Sequence, residues 1–355
     1  MGVQAPSNPY RAQPPKAFWR SAVAEKSFFD IEEVYAPKFD IRQARVATAG
    51  SCFAQHIGRA LRNKGLGYLD LEPAPGVLPV QCQGRYGYGL FSARYGNIYT
   101  TRQLVQLFDR AFGTFRPVET AWETGGRWAD PFRPTIEPDG FGSEEELAEC
   151  RSAHFAAVRQ LFETLDVLIF TLGLTETWIS AIDGAAYPMC PGTAAGTFDP
   201  AKYRFVNLGY PKIRNDLEEF IQRIHSINLG AKFLLTVSPV PLTATATANH
   251  VISATMYSKS VLRAVAGDLC DTLDCVDYFP SYELIAGPAA RGAFFEPNMR
   301  EVNAAGVAYV MSKFFADGPG DTAAAPPVPG STEPATRRRG FEYCDEASLG
   351  EYLIR

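Results

Sequence analysis

The alternation of hydrophobic and polar positions changes rhythm several times along the chain, and each change predicts an element. After Arg45 a short run of β-type residues (Val46, Ala47, Thr48) stops at Gly50. Beyond Ser51-Cys52, apolar residues return at helical spacing (Phe53, Ile57, Leu61). TRQLVQLFDRAF (101–112) has helical periodicity, and Ser143 with Glu146 three residues on makes a capping box for a helix to about Leu165. DVLIFTLG (166–173) and AKFLLTVSPV (231–240) are short, nearly all-apolar runs, as buried strands are. An amphipathic helix over 213–228 lies between them. A helix in SKSVLRAVAGDLCDTL, a short strand in CVDYFPS and a last helix in NAAGVAYVMSKFFAD follow. Strands alternating with helices of this length predict an α/β fold, three layers α/β/α around a parallel sheet.

The remaining segments are less regular. Residues 1–40 are rich in Pro and aromatics and are expected to lie as an extended arm on the folded body, a single α/β domain over 41–317. Within that body 68–142 is dense in Gly, Pro and aromatics and reads as a long irregular insertion. Residues 318–340, low in bulky hydrophobes, read as a flexible Pro/Gly/Ala-rich linker before a tail at 341–355.

Composition narrows the function classes. At 355 residues there is ample chain for a buried core, and a net charge of −5 offers no basic surplus for nucleic acid. The one basic cluster, Arg337-Arg338-Arg339, sits in the tail. No apolar stretch approaches the ~20 residues of a membrane span, and the N-terminus lacks a signal-peptide core, so a cytoplasmic location is expected. The seven cysteines are odd in number and no pair has C-x-x-C spacing. With only four histidines, neither a metal nor another cofactor is expected.

Ligands of open parallel sheets bind beyond the carboxyl ends of the strands. Four such ends, AGSCF, LGLTETW, VSPVPLTAT and YFPSYE, bring Ser51, Thr175, Glu176, Ser238, Tyr278 and Glu283 toward one rim. Ser51 at a strand–helix junction has two readings. It is an N-cap, or it is a nucleophile whose oxyanion lies near the unpaired N–H groups of the helix start, with Gly50 leaving room for substrate. Cys52 is either a thiolate eased by the helix end or a buried small hydrophobe.

The stretch AGSCFAQHIGR (49–59) resembles the signature of the GSCFA family, taken to be related to the SGNH (GDSL-type) esterases and acetyltransferases. That resemblance implies an SGNH-like fold with Ser51 as nucleophile and its own N–H as an oxyanion donor. Gly96 and Asn97 in RYGNIYT would supply a second donor. Gly173-Leu174-Thr175-Glu176 would sit where SGNH enzymes carry Gly-x-Asn-Asp, with the Thr175 hydroxyl in place of the asparagine. The departure is near the C-terminus, where Asn298-Met299-Arg300-Glu301 stands in place of Asp-x-x-His and supplies neither remaining triad member.

Among the histidines, His56 is turned away from Ser51 on the same helix, and His154 and His225 read as surface or boundary positions of amphipathic helices. His250, in the long loop after the third strand, is the candidate base or else a solvent-exposed loop residue. Glu176, Glu283 and Glu301 are candidate partners for it. The resemblance thus implies a serine hydrolase or O-acyltransferase on a small-molecule or glycan ester, an O-acylated carbohydrate by analogy. The aromatics of 68–142 serve as sugar-stacking faces or as core. The alternatives are a catalytically degenerate protein that binds a glycan or partner enzyme, and a Cys52 nucleophile.

Overall fold

Strand β1 (Val46–Gly50) is buried along its whole length, so it belongs inside a covered sheet rather than on a half-solvated one. The computed structural model describes residues 8–316, divided into two compact units: residues 38–279, and residues 8–37 together with 280–316. The expected linker 318–340 and tail 341–355, with the Arg337–Arg339 cluster, lie outside the described residues.

In the larger unit β1 is followed by α1 (Ala54–Asn63), a short α2 (Val80–Gln83), α3 (Thr101–Ala111), a hairpin of β2 (Trp122–Thr124) and β3 (Arg127–Ala129), and α4 (Glu144–Thr164). Then come β4 (Val167–Leu172), β5 (Glu176–Ser180), β6 (Ala186–Tyr187), β7 (Tyr203–Asn207), α5 (Tyr210–Ile227), β8 (Lys232–Val237), α6 (Val251–Thr272) and β9 (Val276–Tyr278). The central sheet has the order β1-β4-β8-β9 and every pair is parallel, with Gly50 opposite Thr171 and Leu172 opposite Val237. Helix α1 packs on β1 and β4, α6 packs on β8 and β9, and α3, α4 and α5 pack on one another. The predicted mixed α/β fold with a parallel sheet flanked by helices is therefore present.

Helix α4 starts where the sequence predicts, but only half of its capping box forms. Ser143 Oγ accepts the Glu146 N–H at 3.2 Å, while the Glu146 carboxylate reaches past the cap to the Gly142 N–H at 2.6 Å. Helix α6 begins seven residues before the expected Ser258, so the loop after β8 is shorter than predicted. Its first turns expose Ile252, Met256 and Tyr257, which breaks the apolar periodicity that marks a helix in sequence.

The irregular composition of 68–142 hides a short hairpin, and a second small sheet follows β4. The β2–β3 hairpin and an antiparallel sheet of order β6-β5-β7 share a core of Trp122, Phe132, Tyr187 and Tyr203. The Glu119 carboxylate ties this core together, accepting from Tyr187 Oη at 2.9 Å and Tyr203 Oη at 2.8 Å. Phe91, Tyr95, Tyr99 and Phe141 are also buried. These buried aromatics serve as core for the 68–142 region.

In the smaller unit, α7 (Ser281–Ala286) and α8 (Ala304–Phe314) are accompanied by the N-terminal segment. Phe28 and Phe29 pack edge-on against Phe294, with ring centroids 5.4 and 5.6 Å away.

Candidate functional site

The site is built at the carboxyl end of β1. The Ser51 N–H donates to Thr171 O at 3.2 Å, and the Ile98 N–H donates to Gly50 O at 2.9 Å. The strand end is thus held between β4 and the 92–99 segment. The Leu174 N–H donates to Tyr99 O at 2.9 Å, which brings the turn after β4 against the same segment. A Cβ on Gly173 would come within 3.1 Å of both Ser51 Cβ and Tyr99 O, so the glycine lets this turn lie close against the serine side chain.

Ser51 does not cap α1. The cap position is Phe53, without a side-chain hydrogen bond, and the Ser51 hydroxyl is buried and makes no hydrogen bond within the protein. The hydroxyls of Thr171 and Thr175, at the end of β4 and in the turn beyond it, are likewise buried and unbonded. Leaving such a group unsatisfied costs about 1–3 kcal/mol, so three at one strand end call for an explanation other than packing. The expected role of the Ser51 N–H as an oxyanion donor is corrected by its bond to Thr171 O, since a sheet ladder continues one residue past β1 and consumes that proton.

The other predicted residues are distributed around this point. Gly96 (φ +68°) and Asn97 immediately precede Ile98, and Asn97 borders a cavity of about 20 Å³ with Arg133 and His154. Cys52 is buried. Ser238, at the end of β8, spends its Oγ on the Val240 N–H at 3.3 Å. Glu176 opens β5 and its carboxylate holds the loop after β8, accepting Thr245 Oγ1 at 2.7 Å and the Ala246 N–H at 3.3 Å. Glu283 lies on α7 in the smaller unit. In the same unit Asn298 Oδ1 accepts the Arg300 and Glu301 N–H groups, both at 3.0 Å, and so serves as a turn former.

His250 is exposed and is the N-cap of α6, where Nδ1 accepts the Ile252 N–H at 3.2 Å. With Nδ1 accepting, the neutral ring carries its proton on Nε2, which in this arrangement can donate to a substrate but not take a proton from one. His250 stands eight residues before Ser258, about 12 Å along the helix.

Ser258 and Lys259 are the residues that sequence reading missed. Ser258 Oγ accepts the Thr175 N–H at 3.0 Å, and the Lys259 ammonium, almost fully buried, donates to Gly173 O at 2.8 Å. Together they fix the turn that lies against Ser51. The available signal was a lysine within the buried stripe Ala254, Ser258, Leu262, Val265, Ala266, Leu269.

His154 is a correction of another kind. It is buried in α4 instead of lying at a boundary, with Nδ1 at 2.7 Å from Glu72 Oε2. Burial, reinforced by Arg133, pushes its imidazolium down to about 4 despite the nearby carboxylate. Burial alone would raise Glu72, but the hydrogen bond from His154 holds it below the usual carboxylate range. Both shifts act in one direction on stability. Between pH 6.5 and 4 the unfolded chain takes up a proton that native His154 refuses, and below about 4.5 Glu72 adds its own loss. Stability is therefore expected to fall by about 3 kcal/mol as pH drops from 7 to 4, and His154→Gln should flatten the upper part of that slope. Urea midpoints at half-unit pH intervals measure it.

Among the described residues no group of three His, Cys, Asp or Glu side chains is placed to hold a metal ion, and no helix is long and apolar enough to cross a membrane. No curated protein and no solved structure matches the chain. The GSCFA family model matches residues 45–314, more than half of the chain, and the protein belongs to the GSCFA family.

Proposed function

We propose that this GSCFA protein is an SGNH-like ester hydrolase or O-acyltransferase that works through an acyl-enzyme on Ser51. The observation that carries the reading is the Ser51 hydroxyl itself. It sits at the end of a parallel strand, free of the capping role its position suggests and with no hydrogen bond in the protein. In the reaction its Oγ bonds the substrate carbonyl carbon while its proton passes to His250 Nε2, once the ring releases the Ile252 N–H and takes the tautomer with its own proton on Nδ1. The leaving alkoxide takes that proton, and water or an acceptor hydroxyl then displaces the serine. The Thr175 hydroxyl and the 96–97 backbone are the donors for the transient oxyanion. Lys259 positions the 173–175 turn, and the substrate class, by resemblance to SGNH enzymes, is an O-acylated carbohydrate.

A second reading is favoured by two observations. The Ser51 N–H is spent on Thr171 O, and His250 caps α6 about 12 Å along the helix from Ser258, the residue that bonds the turn abutting the serine. A protein with these features binds an ester or glycan without turning it over. A fluorophosphonate probe and p-nitrophenyl acetate separate the two. The catalytic reading expects labelling and turnover that vanish in Ser51→Ala and fall in His250→Ala. Labelling that survives Ser51→Ala but is lost in Cys52→Ala moves the chemistry to the thiol. No labelling of the folded wild type leaves the binding reading.

A further inference from the structure

A cavity of about 570 Å³ lies away from Ser51, between the C-terminal end of α3, one face of α4 and the 112–120 segment. That volume is in the range of small-molecule sites. Four guanidinium groups line it, from Arg110, Arg116, Arg151 and Arg159, and its lining contains no carboxylate. Its walls are otherwise apolar, with the rings of Phe112, Phe115, Phe132 and Phe155. Arg151, Phe155 and Arg159 recur at four-residue spacing, so α4 presents charge, ring and charge along one face.

The guanidinium groups are incompletely matched by the protein. Arg110 lies 3.8 Å over the Phe132 ring, and its Nε donates to a backbone carbonyl, Gln106 O, at 3.3 Å. Burial lowers its pKa to about 9, with Asp130 opposing that shift. Asp130 is a carboxylate close to these groups, and it is shared: Arg133 lies 3.1 Å from it and Arg151 3.4 Å. Arg159 donates through Nη1 to Ala111 O at 2.6 Å, which also satisfies a carbonyl at the negative end of α3. Arg116 is exposed and makes no hydrogen bond or ion pair among the described residues.

A cavity with this surplus of fork-shaped donors suits an anion carrying more than one negative charge. Its phenyl walls suit a flat or apolar body attached to that anion. We infer that the cavity between α3 and α4 binds a phosphate monoester of a small aromatic or apolar molecule. The phosphate sits among Arg110, Arg116 and Arg159 and the apolar body lies against the rings. The inference uses none of the residues placed in the Ser51 reaction and stands whether or not that reaction occurs.

Calorimetric titration of the full chain with phenyl phosphate tests it, with inorganic phosphate, benzoate and benzyl alcohol as comparisons. The expected result is saturable binding of phenyl phosphate, about tenfold or more tighter than either inorganic phosphate or benzoate, and weakening as salt is raised. Arg116→Gln and Arg159→Gln should each weaken it by about fivefold or more, while Arg204→Gln, on exposed β7 backbone elsewhere, leaves it unchanged. Arg116 is solvent-exposed, so its variant folds even if Arg159→Gln frays α3. Absence of saturable binding up to about 10 mM phenyl phosphate overturns the inference. Equal binding of benzyl alcohol or benzoate, or full affinity in Arg116→Gln, overturns it as well.

Discussion

Ser51→Ala is expected to abolish turnover of an activated ester, by about a thousandfold or more, while leaving the protein as stable as before or more so by about 1 kcal/mol. The two halves come from the same atom. A buried hydroxyl that bonds nothing in the protein contributes no native interaction, and its removal relieves a desolvation cost. A residue kept in a destabilising form has its use in what it does to another molecule. Thermal unfolding and p-nitrophenyl acetate hydrolysis measured on one preparation test both halves. Loss of more than about 1 kcal/mol in Ser51→Ala would assign the hydroxyl a structural task and remove the argument for catalysis.

The serine could be found from sequence because a strand-to-helix junction has a local signature: β-type residues, a glycine, and then apolar positions at helical spacing. For the same reason β4, β8, α3 and α5 are close to their predicted spans, since their periodicity is set by how each is buried. What determines the chemistry around Ser51 is not local. Lys259 reaches Gly173 O across 86 positions of sequence, and Ser258 reaches the Thr175 N–H across 83. No spacing rule encodes such a contact. His250 misleads in the opposite way. Its place after a polar Thr/Ala/Asn run reads as mid-loop, yet a helix starts directly behind it and its ring takes up the cap. The buried His154 was obscured by its partner, Glu72, which comes from the irregular 68–142 stretch, 82 positions away. The β2–β3 hairpin and the β6-β5-β7 sheet are short strands whose pairing depends on a shared aromatic core, and only the folded chain assembles that core.

Gly50→Ala is expected to cost more than about 4 kcal/mol, the range reached only by a named backbone or packing failure. Two faults coincide at this position. The backbone has φ +130°, where side chains are strained by about 1–3 kcal/mol, and an added Cβ would stand 2.3 Å from Thr171 O and 2.7 Å from Thr171 N. Neither of those atoms belongs to a flexible side chain, so β1 would have to move away from β4. That movement breaks the bond from the Ser51 N–H to Thr171 O and displaces the serine from the Gly173 turn. Gly96→Ala provides the comparison, because its φ is +68° but nothing lies within 4 Å of the added atom. It should cost only the backbone strain, about 1 kcal/mol. Denaturant midpoints for the two variants therefore separate strain from collision. If they are equally stable, the close approach of β4 to Gly50 is not what fixes the serine, and the geometry proposed for its attack has lost its anchor.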